Sequence, residues 1–156
     1  MRLIGEVPDL SGVYVMSISQ PVIAATLLRL TLGVTFLAHG LLKLFVFTVP
    51  GTVGFFESIG FPGALAYYAI AIEVVGGAML VAGLYARQVA LAALPLLAGA
   101  TFVHAGNGWL FSNANGGWEF PLFWTMTLIV QALLGNGAFA LQDAVRASGS
   151  LRKLAA

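Results

Sequence analysis

The sequence predicts an all-α membrane protein: a bundle of four transmembrane helices with the N- and C-termini cytoplasmic. Three observations lead there. Of 156 residues, 60% are hydrophobic and only 8% charged, with a mean hydropathy of +0.96. A soluble domain carries about 25% charged residues, so too few remain here to coat a water-facing surface. The apolar residues gather into four long segments, and no segment alternates polar and apolar with the period of two that a barrel strand needs.

The segments cover about residues 21–47, 64–84, 87–105 and 120–141, each near the ~20 residues that span ~30 Å of hydrocarbon as a helix. Pro50, Gly51 and the stretch Gly60-Phe61-Pro62-Gly63 close the first connection. Tyr85 to Gln88 makes a tight turn, and the Asn/Gly/Trp-rich stretch Gly106 to Trp118 forms the third loop. Residues 1–156 read as a single membrane domain, with 1–20 a cytoplasmic N-terminal segment and 142–156 a cytoplasmic tail. The opening residues hold Arg2, Glu6, Pro8 and Asp9 and lack a secretory cleavage pattern.

Orientation follows from the basic residues. Arg2 precedes the first helix, Arg87 lies in the second turn, and Arg146, Arg152 and Lys153 follow the fourth helix. The opposite loops carry Glu57 and Glu119 and no Lys or Arg. Positive residues stay inside, which puts both termini in the cytoplasm. Trp109, Trp118, Trp124, Phe55, Phe56, Tyr67 and Tyr68 fall toward the other face, as an aromatic interfacial belt would. Gly76, Gly77, Ala78, Ala82 and Gly83 suit close helix packing, as do Ala90, Ala93, Gly99 and Ala100. Pro95 is expected to bend the third helix and free the carbonyl of Leu91.

Composition also excludes chemistry. A net charge of +1 makes no case for nucleic acid. The absence of cysteine rules out disulfides, thiolate metal sites and dithiol redox within the chain. A metal site from His39, His104 and Glu73 has no recognised ligand spacing behind it, so none is expected.

The informative residues are the polar ones inside the apolar segments: Arg29, His39, Lys43, Glu73, His104 and Gln131. A charge at the bilayer centre costs at least ~2.5 kcal/mol, so each needs a partner or a wet cavity. Counting from the segment ends puts His39 about 12 Å, Glu73 about 13 Å and Gln131 about 15 Å below the outer surface. Lys43 sits one turn above His39 on the same face, at about 6 Å. Arg29 is deepest, toward the cytoplasmic side. One reading makes Glu73 with Lys43 or Arg29 a structural ion pair and His39 a register-fixing core residue. The other makes the stripe the lining of a pocket, open to the outer side, for a quinone headgroup, a small anion or a transported proton.

The motifs resemble those of the DoxX family of small bacterial membrane proteins. Arg29-Leu30, Phe36-Leu37-Ala38-His39-Gly40 and Lys43-Leu44 resemble its first helix, and Phe56 with Gly60-Phe61-Pro62 its following loop. Glu73-Val74-Val75-Gly76-Gly77, Gly83-Leu84, Arg87, His104 and Asn115-Gly116-Gly117-Trp118-Glu119-Phe120-Pro121 continue the match, over about residues 22–142. Where the family commonly has a Gly-Pro-Gly turn and a Ser-Leu-Asp, this chain has Gly135-Asn136-Gly137 and Ala140-Leu141-Gln142-Asp143. The resemblance implies a multi-pass protein of the bacterial cytoplasmic (inner) membrane. Related proteins include a membrane subunit of an archaeal thiosulfate:quinone oxidoreductase, and the family is associated with redox and oxidative-stress systems.

The expectation is therefore an integral membrane subunit of a redox system with a polar intramembrane pocket for a quinone or small anion near the outer face. Quinone is the one cofactor expected, and none is covalent. The expected partners are the lipid bilayer, a redox partner protein and further copies of the chain. With no Gly-rich nucleotide loop and no cysteine, it would not be a complete enzyme alone. Two alternatives stand beside this: a small-solute or proton transporter, and a non-catalytic scaffold for assembling other membrane proteins.

Overall fold

A computed structural model describes residues 19–154, with the side chains of 149–154 left aside. The anchor expected at Arg2, the residues Glu6, Pro8 and Asp9, and the side chains of Arg152 and Lys153 lie outside what is described. Six helices and no strand make up the described residues. Helix α1 runs Gln20–Val46, α3 Ala64–Ala82 and α4 Ala86–His104. These are the three helices long and apolar enough to cross a membrane. Helix α5, Glu119–Leu134, is apolar but shorter. Between α1 and α3 lies α2, Val49–Ser58, and α6, Leu141–Leu154, follows α5. Large apolar side chains stand exposed all around: Leu133 at 80%, Phe45 at 78% and Phe102 at 75%. Water would penalise that exterior, whereas lipid does not.

Segment ends differ from the sequence-based expectation at two places. The fourth apolar segment stops at Leu134 instead of running to about 141, because Gly135 takes φ 79° and Gly137 φ 70° and a tight turn follows. Helix α2 occupies what reads as a loop. Its Pro50 and Gly51 look like breakers, yet both sit in its first turn, where Pro is tolerated. The Thr48 hydroxyl accepts the Gly51 N–H and caps that end.

Close approach of α1 and α3 builds the core. A Cβ on Gly77 would stand 2.9 Å from the Leu37 nitrogen and 3.0 Å from the Gly33 carbonyl oxygen. On Gly33 it would meet the Val81 nitrogen at 2.9 Å. Backbone meets backbone at these points, and only glycine permits it. Leu32, Phe36, Leu80, Ala90, Ala93, Leu97, Trp124 and Leu128 fill the space between α1, α3, α4 and α5. Trp124 is therefore a core residue at 7% exposure and not part of an interfacial belt. It lies on the second turn of α5, facing Phe36, with ring centroids 4.7 Å apart.

The end of the bundle that carries Arg87 is tied shut. The fully buried Arg29 guanidinium donates to the carbonyls of Leu80 at 2.8 Å, Val81 at 3.1 Å and Ala138 at 3.2 Å. The first two belong to the last turn of α3, the negative end of the helix dipole, which attracts a cation. Gln142 adds a second tie: its Oε1 accepts the Tyr85 N–H at 2.9 Å. At the opposite end the loop between α4 and α5 folds on itself, with Trp118 and Glu119 donating to the carbonyls of Gly108 and Trp109. From α3 the Tyr68 hydroxyl donates to the carbonyl of Ala92 in α4, next to the Leu91 carbonyl that Pro95 leaves without its helix donor.

The Gly33–Gly77 contact predicts a clear contrast. Gly77→Val should cost about 1–3 kcal/mol, because the new side chain meets backbone that cannot yield. Gly54→Ala, on α2 with open space around its Cα, should be neutral or gain about 0.5 kcal/mol. Melting curves of the detergent-purified variants measure both.

Candidate functional site

The ionisable residues of α1 and α3 meet where each helix changes pitch. Lys43 lies in a π-helical turn, Leu42–Val46, and Glu73 in another, Ile72–Gly76. Such turns cluster at functional positions. The Lys43 ammonium donates to Glu73 Oε1 at 2.8 Å, with Glu73 almost fully buried and Lys43 partly exposed. The second carboxylate oxygen, Oε2, is buried without a partner among the protein atoms. Of the two cations considered for Glu73, Lys43 is the one that pairs with it.

His39 stands one turn below Lys43 on α1. Its Nδ1 lies 2.9 Å from the carbonyl of Thr35, and its ring meets Trp124 edge-on at 4.9 Å between centroids. Phe120, packed beside Trp124, stacks on the ring at 6.5 Å. His104, at the end of α4, lies with Nδ1 3.1 Å from the carbonyl of Gly116 in the following loop.

These four side chains line one cavity of about 410 Å³, within the usual ~300–1,000 Å³ range of small-molecule sites. Phe55 and Phe56 of α2 and the following Ile59 form part of its wall, with Pro95, Gly99 and Ala100 of α4 and Phe120 and Trp124 of α5. Apart from His39, Lys43, Glu73 and His104, that wall is almost wholly apolar. A Cβ on Gly99 would meet nothing within 4 Å. Among the described residues no group of three or more His, Cys, Asp or Glu is arranged to hold a metal ion.

The cavity does not gather every polar residue singled out from the sequence. Arg29 lies at the Arg87 end, occupied by three carbonyls. Gln131 does not share the level of His39 and Glu73: because α5 ends at Leu134, it falls in the last turn and donates to the Gly135 carbonyl at 2.6 Å. Sequence reading also passed over the wall that α2 supplies and the role of Trp124. Phe120 and Trp124, four residues apart on one helix face, were the available signal for the latter.

A double-mutant cycle checks the ion pair. Lys43→Met alone should destabilise the protein more than Lys43→Met with Glu73→Gln, since the single change strands a buried carboxylate. The coupling should be on the order of 1–3 kcal/mol from thermal or denaturant melts.

Comparison with known proteins follows the same residues. A family model described as DoxX matches residues 24–106, which include Arg29, His39, Lys43, Glu73 and His104. The chain is 36% identical over 123 residues to "Putative oxidoreductase CatD" of Bacillus subtilis (strain 168), covering 79% of this chain and 87% of that protein. It is 32% identical over 118 residues to an "Uncharacterized protein" of Haemophilus influenzae, covering 74% of this chain and 86% of the relative. No solved structure matches it. The family match takes in most of α1 and all of α2, α3 and α4, and the chain belongs to the DoxX family.

Proposed function

We propose that this protein is the membrane subunit of a redox system, holding the headgroup of a quinone in the cavity between α1, α2, α3, α4 and α5. The observation that carries the reading is the cavity itself: about 410 Å³, apolar-walled, with His39, Lys43, Glu73 and His104 as its charged and imidazole groups. A flat, mostly apolar ring with two polar oxygens suits such a wall. A small anion suits it less, because the Lys43 cation is already neutralised by Glu73. The name of the Bacillus relative, an oxidoreductase, agrees with redox work. Electrons would come from a partner protein, since the chain has no cysteine and no nucleotide loop.

In this reading α1, α3, α4 and α5 are the four spans of one domain in the bacterial inner membrane. Helix α5 is about 24 Å long at 1.5 Å per residue, and the turn that follows it completes the crossing. Arg87 and Arg146 put the tied end, and with it both termini, on the cytoplasmic side. The cavity then opens toward the outer half of the bilayer. A transport pathway is the weaker reading: the Arg29 and Gln142 hydrogen bonds fill the route from the cavity to the cytoplasmic side.

Filling the cavity tests the proposal without touching its polar groups. Gly99→Leu and Ala100→Leu should melt within a few degrees of the parent protein, because leucine is a better helix former than glycine and nearly as good as alanine. Both should weaken binding of a short-tailed quinone roughly tenfold or more, read as loss of its stabilising shift in melting temperature. A parent protein whose melting temperature ignores quinone would sink the proposal.

A further inference from the structure

Resting on the reading of this cavity as a quinone site, the hydrogen-bond pattern of its two histidines says which redox form it holds. His39 Nδ1 lies 2.9 Å from the Thr35 carbonyl. A carbonyl only accepts, so Nδ1 carries the proton and donates. In the neutral ring the other nitrogen, Nε2, is then a bare acceptor.

His104 leads to the same result by a second route. Its Nδ1 has two neighbours, the Gly116 carbonyl at 3.1 Å and the Asn107 amide nitrogen at 3.4 Å. The two Asn107 amide hydrogens go to the closer carbonyls of Gly116 at 2.8 Å and Asn115 at 3.1 Å. None is left for His104, so its Nδ1 donates to Gly116, and Nε2 again becomes an acceptor. Both tautomers are set by backbone, one in a helix and one in a folded loop.

Donors facing the cavity are scarce. The Tyr68 hydroxyl is spent on the Ala92 carbonyl, and Lys43 gives one of its three ammonium N–H groups to Glu73, leaving two for a ligand. Trp124 Nε1 and Glu73 Oε2 are unpartnered but sealed from contact. Neither histidine Nε2 has a hydrogen-bond partner or is sealed in that way, and both rings line the cavity. The two histidine edges of the site therefore ask for hydroxyl groups, and Lys43 is left as the donor for a carbonyl oxygen. A polar site built to accept hydrogen bonds rejects a ligand that cannot donate them, because its own groups stay unpaired.

We propose that the cavity is selective for the reduced, dihydroxy form of its ring ligand, whose hydroxyls donate to Nε2 of His39 and Nε2 of His104. The dione form presents lone pairs to lone pairs there and binds more weakly.

The test is equilibrium binding of duroquinol and duroquinone to the full chain in lipid nanodiscs, kept anaerobic at about pH 8. Duroquinol should bind at least about tenfold tighter, the change expected from one lost hydrogen bond in a buried site. His39→Phe and His104→Phe should each shrink that preference several-fold while leaving duroquinone affinity nearly unchanged. Equal binding of the two forms, or tighter binding of duroquinone, overturns the selectivity while the pocket reading stands. A preference that survives both histidine variants overturns it as well. If neither form binds, and Gly99→Leu changes nothing, the quinone reading itself fails and takes this inference with it.

Discussion

The Lys43–Glu73 ion pair is the interaction on which the rest of this architecture depends. A lone carboxylate or ammonium within the apolar part of a bundle is costly, and the cost is removed only by bringing the two together. Their 2.8 Å contact fixes the register of α1 against α3. That register is reachable because Gly33 and Gly77 let the two backbones touch. Both charged residues sit in π-helical turns, where one extra residue per turn re-aims the side chains from the helix face they would otherwise follow. The pair leaves one carboxylate oxygen buried without a protein partner.

From that pair the two ends of the bundle diverge. Toward Arg87, polar side chains bond to backbone: Arg29 to carbonyls of α3 and the turn after α5, Gln131 to Gly135, and Gln142 to Tyr85, with Arg29 Nε and Gln131 Oε1 left unpartnered. Toward the opposite end, His39 and His104 each use one ring nitrogen for structure and keep the other free. Polar side chains thus brace one end, and at the other, in the proposed reading, they leave acceptors for a ligand.

Much of this was legible in the sequence. The length and apolarity of α1, α3 and α4 follow from hydropathy and chain geometry alone, and their ends fall within about two residues of expectation. The polar stripe of His39 and Lys43 opposite Glu73 also follows, from residue spacing and from the need to pair charge. What the sequence obscured has local causes. Helix α2 is hidden because its Pro50 and Gly51 read as a break, while their place in the first turn makes them permissible. Gln131 falls in the last turn of α5 because that helix ends at Leu134 and does not run on to Leu141. The left-handed glycines at 135 and 137 divide that stretch instead. Arg29 could not be separated from the cavity by periodicity, since only the fold shows which carbonyls reach it.

The most direct test of the central claim, a quinone headgroup in the α1–α5 cavity, is solvent extraction of the protein purified in mild detergent. Mass spectrometry would then identify every small molecule that co-elutes. The account predicts an isoprenoid quinone retained near one equivalent per chain, well above its share of the co-purified lipid. Recovery of bulk lipid alone, with quinone at no more than its membrane abundance, would contradict it.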